Sequence, residues 1–183
     1  MKKLQFTKNK ILKILIFIGI ITICASLYIQ YGQPYLKELS LQKLDQQRIK
    51  DLDSLNSILK DISSGPNAQF IGKNKVIYIS LPSDDSTCSN LDLPSVPDGW
   101  AYHCSKQADY QKTTGTGWIP INVSGKINQL SLDPINNGGM LNYYVYVTGD
   151  GEYVITGVLN SKKYLCLQAI GRYLSLLEPL QFQ

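Results

Sequence analysis

Few residues in this chain have the type and spacing that hydrolytic chemistry needs. His103 is the single histidine, and serine and aspartate residues are common near it. A Ser–His–Asp triad also needs a nucleophilic serine, which many hydrolases present in a Gly-x-Ser-x-Gly turn. The sequence has no such turn, so we expect the protein not to be an enzyme. We interpret His103 as a structural residue flanked by aromatic side chains.

A polar turn region offers oxygen atoms that a hard cation could use. Asp133, Asn136 and Asn137 lie within one short stretch, and Asp150 follows later in the chain. Calcium takes 6–8 oxygen ligands, and this stretch has few carboxylates. Asp and Asn are also common in turns, because their side chains bond to nearby backbone groups. We therefore predict a turn and no cofactor, with calcium as the alternative.

Two cysteines flank a loop rich in proline, serine and aspartate. The chain has no Cys-x-x-Cys motif and one histidine, which argues against zinc. Outside the cytoplasm, Cys88 and Cys104 are expected to form a disulfide, and closing this loop would stabilise the fold by roughly 3 kcal/mol. Cys24 lies in an apolar run. Cys166 is left over, as a buried thiol or one without an assigned role.

The N-terminal region has the pattern of a membrane anchor. Residues 1–13 carry five lysines and no acidic residue, and residues 14–31 are almost entirely apolar. Together with Ile11 and Leu12 this run has about 20 residues, enough to cross a bilayer core as a helix. The lysines favour a cytoplasmic N-terminus and an extracytoplasmic head. The alternative is a cleaved signal peptide with its cleavage site at Ala25-Ser26.

A second helical segment, residues 32–65, follows the anchor. Pro34 predicts a kink near its start, and Gly65-Pro66 predicts its end. Arg48 and Asp51 are three residues apart, a spacing at which two oppositely charged side chains on a helix can pair. An apolar stripe over the last three turns is predicted to pack on a sheet. The stripe consists of Leu52, Leu55, Ile58, Leu59 and Ile62.

The remaining residues predict a small β-rich head at 66–164 and a covering segment at 165–183. Two β-branched and aromatic runs, Leu141–Thr148 and Glu152–Leu159, are joined by Gly149-Asp150-Gly151 and predict a hairpin. Further strands are predicted at Lys75–Leu81 and Gly99–Cys104, while Trp118–Val123 predicts an edge strand or an extended loop. The fold class is therefore α+β, a long helix packed on a small antiparallel sheet.

Charge argues against nucleic acid as a partner. The net charge is +4, but the five lysines of residues 1–13 account for it, and the remainder is close to neutral. Nucleic-acid binding depends on basic side chains that contact phosphates. The expected partner of the N-terminal region is the lipid bilayer.

Four short stretches occur in an order that is typical of one protein family. The apolar run ends near Pro34, and Arg48-Ile49-Lys50-Asp51-Leu52 lies in the following helix. Gly117-Trp118-Ile119-Pro120-Ile121-Asn122 comes next, and Asp133-Pro134-Ile135-Asn136-Asn137 precedes the tyrosine-rich hairpin. This order resembles the type IV pilin and type II secretion pseudopilin family, in particular the major pseudopilins. The resemblance covers most of residues 11–164.

The resemblance implies a structural role with no cofactor. It implies a pilin-like subunit or accessory of a type IV pilus, competence or type II secretion apparatus, with a single-pass helix that contacts similar subunits or assembly-platform proteins. The family's processing site is not matched around Phe6, and no acid lies near Phe17, where the family has a glutamate. These departures favour a permanently anchored subunit. The alternative function is an anchored extracytoplasmic binding domain that does not assemble into a filament.

Overall fold

The computed structural model describes residues 16–63 and 71–169 of the chain. The basic stub, the Gly65-Pro66 helix end, the side chain of Cys166 and the tail beyond Ala169 lie outside what is described. The chain divides into two compact units, Met1–Leu41 and Gln42–Gln183, and the boundary between them falls within the N-terminal helix.

One long helix, Ile16–Ser63, forms the N-terminal part of the described chain. It is long and apolar enough, near its start, to cross a membrane. A π turn at Tyr28–Gly32 interrupts its α-helical pattern, where the backbone N–H of Gln33 donates to the carbonyl of Tyr28. Pro34 has no backbone N–H to donate, so an altered bonding pattern beside it is expected. The irregularity predicted at Pro34 therefore takes the form of a π turn on its N-terminal side.

The head contains a four-stranded sheet. Its strands are β1 at Val76–Ile79, β2 at Ala101–His103, β3 at Tyr144–Gly149 and β4 at Glu152–Gly157. The order across the sheet is β2-β1-β3-β4. A short helix, Lys162–Ala169, follows β4. The α+β class is confirmed.

The prediction of an antiparallel sheet is wrong for one pair of strands. β1 pairs with β3 and β3 with β4 in antiparallel fashion, but β2 runs parallel to β1. Parallel neighbours need a connection of a dozen or more residues, because the chain must return to the same end of the sheet. Residues 80–100 provide this length, and the sheet is therefore mixed.

The β3–β4 hairpin has a tighter turn than the sequence predicted. Gly149 pairs with Glu152, so the turn consists of Asp150 and Gly151 alone. Both have positive φ, 51° and 84°. Two successive residues with positive φ match the right-handed twist of the flanking strands.

The stretch Trp118–Val123 is an irregular loop, bent at Trp118, Ile119 and Ile121, with one isolated bridge from Asn122 to Thr114, and is not a strand. Trp118 and Ile119 are fully buried in this loop. They join the main core, where the helix face meets the sheet.

The helix contributes Leu52, Leu55 and Leu59 as buried residues, with Ile58 and Ile62 partly buried against them.

Candidate functional site

A fully buried arginine lies where the N-terminal helix meets two loops of the head. The side chains of Arg48 and Asp45 are both 0% exposed, one helical turn apart. The Nη1 of Arg48 donates to Oδ1 of Asp45 at 2.8 Å. Its Nε donates to Oδ2 of Asp133 at 2.6 Å, and its Nη2 donates to Oδ1 of Asp133 at 3.1 Å. The contact with Asp133 is therefore bidentate, which is the strongest arrangement for an arginine and a carboxylate.

Asp45 holds a second segment of the head through backbone donors. The N–H of Asn160 donates to both carboxylate oxygens of Asp45, and the N–H of Ser161 donates to Oδ2 at 2.7 Å. These residues directly precede the C-terminal helix at Lys162–Ala169. One carboxylate on the N-terminal helix thus fixes the start of that segment.

Asp133 is positioned by the turn that follows it. Its Oδ1 accepts the backbone N–H of Ile135 at 2.8 Å and that of Asn136 at 3.3 Å. Asn142 completes the cluster, because its Oδ1 accepts from Nη2 of Arg48 and from Nδ2 of Asn160. We call these residues the Arg48 cluster: Asp45, Arg48, Asp133, Asn142, Asn160 and Ser161.

The charged groups of the Arg48 cluster form a satisfied buried ion network, whereas the hydroxyl of Ser161 is buried with no hydrogen-bond partner among the described residues. Burial alone would lower the pKa of Arg48, but hydrogen bonds and charges from Asp133 and Asp45 more than offset this and raise it. Two carboxylates face one guanidinium, and the extra negative charge is met by backbone N–H donors. Buried ions are tolerated when their hydrogen bonds are complete, and removal of one partner is costly. The cluster therefore fixes structure, since its acids and base are committed to each other.

The sequence suggested the wrong partner for Arg48. Asp51 does not contact it and instead accepts from Nε2 of Gln47 at 2.7 Å and from the hydroxyl of Tyr144 at 3.1 Å. The spacing rule for helices applies equally to Asp45, three residues before Arg48. Asp133 lies 85 residues away, and no local pattern could identify it.

The calcium alternative is not favoured by the positions of its candidate ligands. Asp133 is engaged by Arg48, and Asn136 exchanges hydrogen bonds with Ser80. Asn137 accepts from Asn142. Asp150 lies in the hairpin turn at the other end of β3, a strand of six residues and so about 20 Å away. Within the described residues, no group of three or more His, Cys, Asp or Glu side chains converges.

The disulfide predicted between Cys88 and Cys104 is present, and both residues are buried. It joins the connection between β1 and β2 to the residue that directly follows the edge strand β2. His103, next to Cys104, contacts the ring of Tyr78 edge-on, with ring centroids 5.2 Å apart. Burial, and then the charge of Lys73, lowers the pKa of His103.

Together these features define the class of the protein. It has an α+β head built around the C-terminal part of a long helix, and the N-terminal part of the same helix is apolar. Comparisons with protein-family models, with curated proteins and with solved structures found no match.

Proposed function

We propose that the protein is a single-pass membrane protein with a cytoplasmic N-terminus and a non-enzymatic, pilin-like head. It would serve as a structural subunit or accessory of a type IV pilus, competence or type II secretion apparatus. The observation that carries the proposal is the continuity of one helix from an exposed apolar stretch into the core of the head. In such a protein the same helix anchors the head and supports its sheet.

The apolar stretch supports the anchoring part of the proposal. Its large side chains are more than half exposed, for example Phe17 at 64% and Ile23 at 61%. Large apolar side chains at this density need a nonaqueous environment, and a helix satisfies its own backbone groups in lipid. The two candidates for that environment are lipid and the corresponding helices of neighbouring subunits.

The Arg48 cluster supports the structural part of the proposal. A head that transmits force to or from a helix needs that helix held at a fixed position. At one level, Asp133 on one loop and backbone N–H groups on another bind charged side chains of the helix. One to four turns further on, an apolar stripe holds the helix by different chemistry. In the described part of the head, the buried carboxylates of Asp45 and Asp133 are paired with Arg48. Carboxylates that are held in this way are better suited to a rigid scaffold than to catalysis.

Lateral crosslinking in membranes tests the assembly part. Single cysteines are placed in turn at positions 16–27 of full-length protein that carries Cys24→Ser and Cys166→Ser, and membranes are oxidised with copper phenanthroline. We expect dimers at positions that repeat every three to four residues, because one face of each helix would meet its neighbour. The background protein without an added cysteine, in which Cys88 and Cys104 stay paired in their disulfide, is the control for nonspecific bands.

The crosslinking pattern separates the two candidate functions. Dimers with helical periodicity support a subunit that assembles. A protein that stays monomeric at every position contradicts assembly and favours the anchored binding domain. Release of the protein from membranes by alkaline carbonate would contradict the anchoring part as well.

A further inference from the structure

Three exposed tyrosines lie at the C-terminal end of the apolar stretch of the N-terminal helix and just beyond it. Tyr28, Tyr31 and Tyr35 are 55%, 65% and 64% exposed. At 1.5 Å per residue, they occupy about 10 Å along the helix. The first charged residues after the apolar stretch, Lys37 and Glu38, come directly beyond them. The tyrosines therefore lie between the apolar part of the helix and its charged part.

The position of these tyrosines matches the edge of a bilayer. A hydrocarbon core of about 30 Å takes about 20 helical residues, so a span that begins directly after Lys13 would end near Gln33, between Tyr31 and Tyr35. The phospholipid headgroup layer begins at that level. Tyrosine has an apolar ring and a polar hydroxyl, and it is enriched where lipid meets water.

The ring of Tyr28 gives a second, independent observation. A Cβ atom added to Gly32 would lie 2.8 Å from Cδ2 of Tyr28. The ring of Tyr28 therefore extends along the helix toward a residue four positions later, away from the apolar stretch. Amphipathic side chains at a membrane edge extend in this way, because the polar tip then reaches the hydrated layer.

The π turn lies at the same depth along the helix as these tyrosines. It spans Tyr28–Gly32, and Pro34 beside it has no N–H to donate. An irregular hydrogen-bond pattern is costly in hydrocarbon, where no water can satisfy a free carbonyl. Water is available in the headgroup layer, so the interruption is better tolerated there.

We propose that Tyr28, Tyr31 and Tyr35 form a belt that binds the outer headgroup layer of a phospholipid bilayer and sets the depth of the helix. The proposal depends on the membrane anchoring in the proposed function and not on the pilin-like role. Gly32 contributes by leaving space for the Tyr28 ring.

Depth-dependent quenching tests the belt. Full-length Tyr31→Trp and Ile23→Trp proteins are reconstituted in phosphatidylcholine vesicles with bromines at shallow or deep acyl positions, and the signal of the unsubstituted protein is subtracted. We expect Tyr31→Trp to lose more fluorescence with shallow bromines and Ile23→Trp, near the middle of the apolar stretch, to lose more with deep bromines. If Tyr31→Trp is quenched from the deep position or not at all while Ile23→Trp is quenched deep, the belt is wrong. If neither tryptophan is quenched, the anchoring proposal itself fails.

A glycine pair tests the orientation of the Tyr28 side chain. Gly32→Ala and Gly19→Ala are each combined with Tyr28→Trp, and Gly19 is the matched control because a Cβ there meets nothing within 4 Å. Gly32→Ala should displace the ring, so that quenching of Tyr28→Trp shifts toward the deep bromines. Gly19→Ala should leave the quenching profile unchanged. Equal profiles in the two variants would overturn the role assigned to Gly32.

Discussion

The Nε atom of Arg48 lies 2.6 Å from Oδ2 of Asp133, and both side chains are completely buried. The two residues are 85 positions apart, one on the N-terminal helix and the other at the start of a polar turn. The hydrophobic face of the helix begins one turn later, at Leu52. The helix is therefore held in the head by charge at one level and by apolar packing at the next.

Replacement of Arg48 should destabilise the head strongly. In Arg48→Met two buried carboxylates lose their cation, and breaking a buried ion pair in this way costs about 3–5 kcal/mol. Urea unfolding of the full-length protein in detergent micelles, followed by tryptophan fluorescence, measures the loss.

The matched control breaks an ion pair at the surface. Lys126 lies 2.7 Å from Asp61, and the two side chains are 52% and 63% exposed. Lys126→Met should cost less than about 1 kcal/mol, because water screens exposed pairs. Equal losses in the two variants would contradict the role given to the Arg48 cluster.

The sequence predicted the parts of this fold that depend on local patterns. Periodicity identified the helix face at Leu52, Leu55 and Leu59, and alternation identified the β3–β4 hairpin. The parallel pairing of β2 and the contact between Arg48 and Asp133 depend on chain segments that meet only in the folded state. Spacing along one helix allows Asp45 and Asp51 equally, because each is three residues from Arg48, and no local rule identifies Asp133, which is 85 residues away.

Gly117 is predicted to tolerate no side chain. A Cβ atom there would lie 2.1 Å from the carbonyl oxygen of Lys112 and 2.7 Å from Cδ1 of Leu130. The first neighbour is backbone, so Gly117→Ala must shift a loop that carries Trp118, at a cost of about 3 kcal/mol. Gly125→Ala is the control, because a Cβ there meets nothing within 4 Å. Thermal unfolding of the two variants should differ clearly, and similar melting temperatures would contradict the packing of this loop.

Reduction of the disulfide should loosen the β2 edge of the sheet. Cys88 and Cys104 are 16 residues apart, and opening a loop of this size removes about 3 kcal/mol in the chain-entropy model. β2 has three residues and one neighbouring strand, so its amides should gain hydrogen exchange before those of β3. Hydrogen exchange with and without reductant measures this. An equal increase in exchange across β2 and β3 would show that the disulfide does not act locally. The control variant Cys24→Ser should leave the exchange of both strands unchanged.

Acid should weaken the head through His103. Burial, and then the charge of Lys73, lowers the pKa of His103 below its ordinary value of 6.5. The folded state therefore binds the proton less well than the unfolded state, so this contribution to stability is complete above pH 6.5 and is lost as pH falls through the folded pKa. Because the chain has one histidine, NMR titration of its ring protons reads the pKa directly. A pKa at or above 6.5 would contradict the burial described for this side chain, and His103→Gln should lose less stability between pH 7.5 and pH 5 than the unsubstituted protein.

Alkali should unfold the head through its buried tyrosines. Burial, and then the nearby Tyr102, raises the pKa of Tyr143 to about 12, and burial also raises the pKa of Tyr144 and Tyr146 from an ordinary value of 10.0. An acid whose folded pKa is raised stabilises the fold below its unfolded pKa, so this stability is present below pH 10 and is lost as pH rises further. Absorbance at 295 nm and circular dichroism should therefore show Tyr143, Tyr144 and Tyr146 ionising only together with unfolding.

A pair of phenylalanine variants identifies the groups responsible for the alkaline transition. Tyr146→Phe removes a buried hydroxyl that donates to the carbonyl of Ile71 at 2.6 Å, which costs about 1 kcal/mol at neutral pH. It also removes one group that must ionise on unfolding, so the stability lost between pH 9 and pH 11 should be smaller than in the unsubstituted protein. Tyr35→Phe changes an exposed residue and should leave that loss unaltered. If Tyr143, Tyr144 and Tyr146 ionise near pH 10 while the protein stays folded, their burial is contradicted.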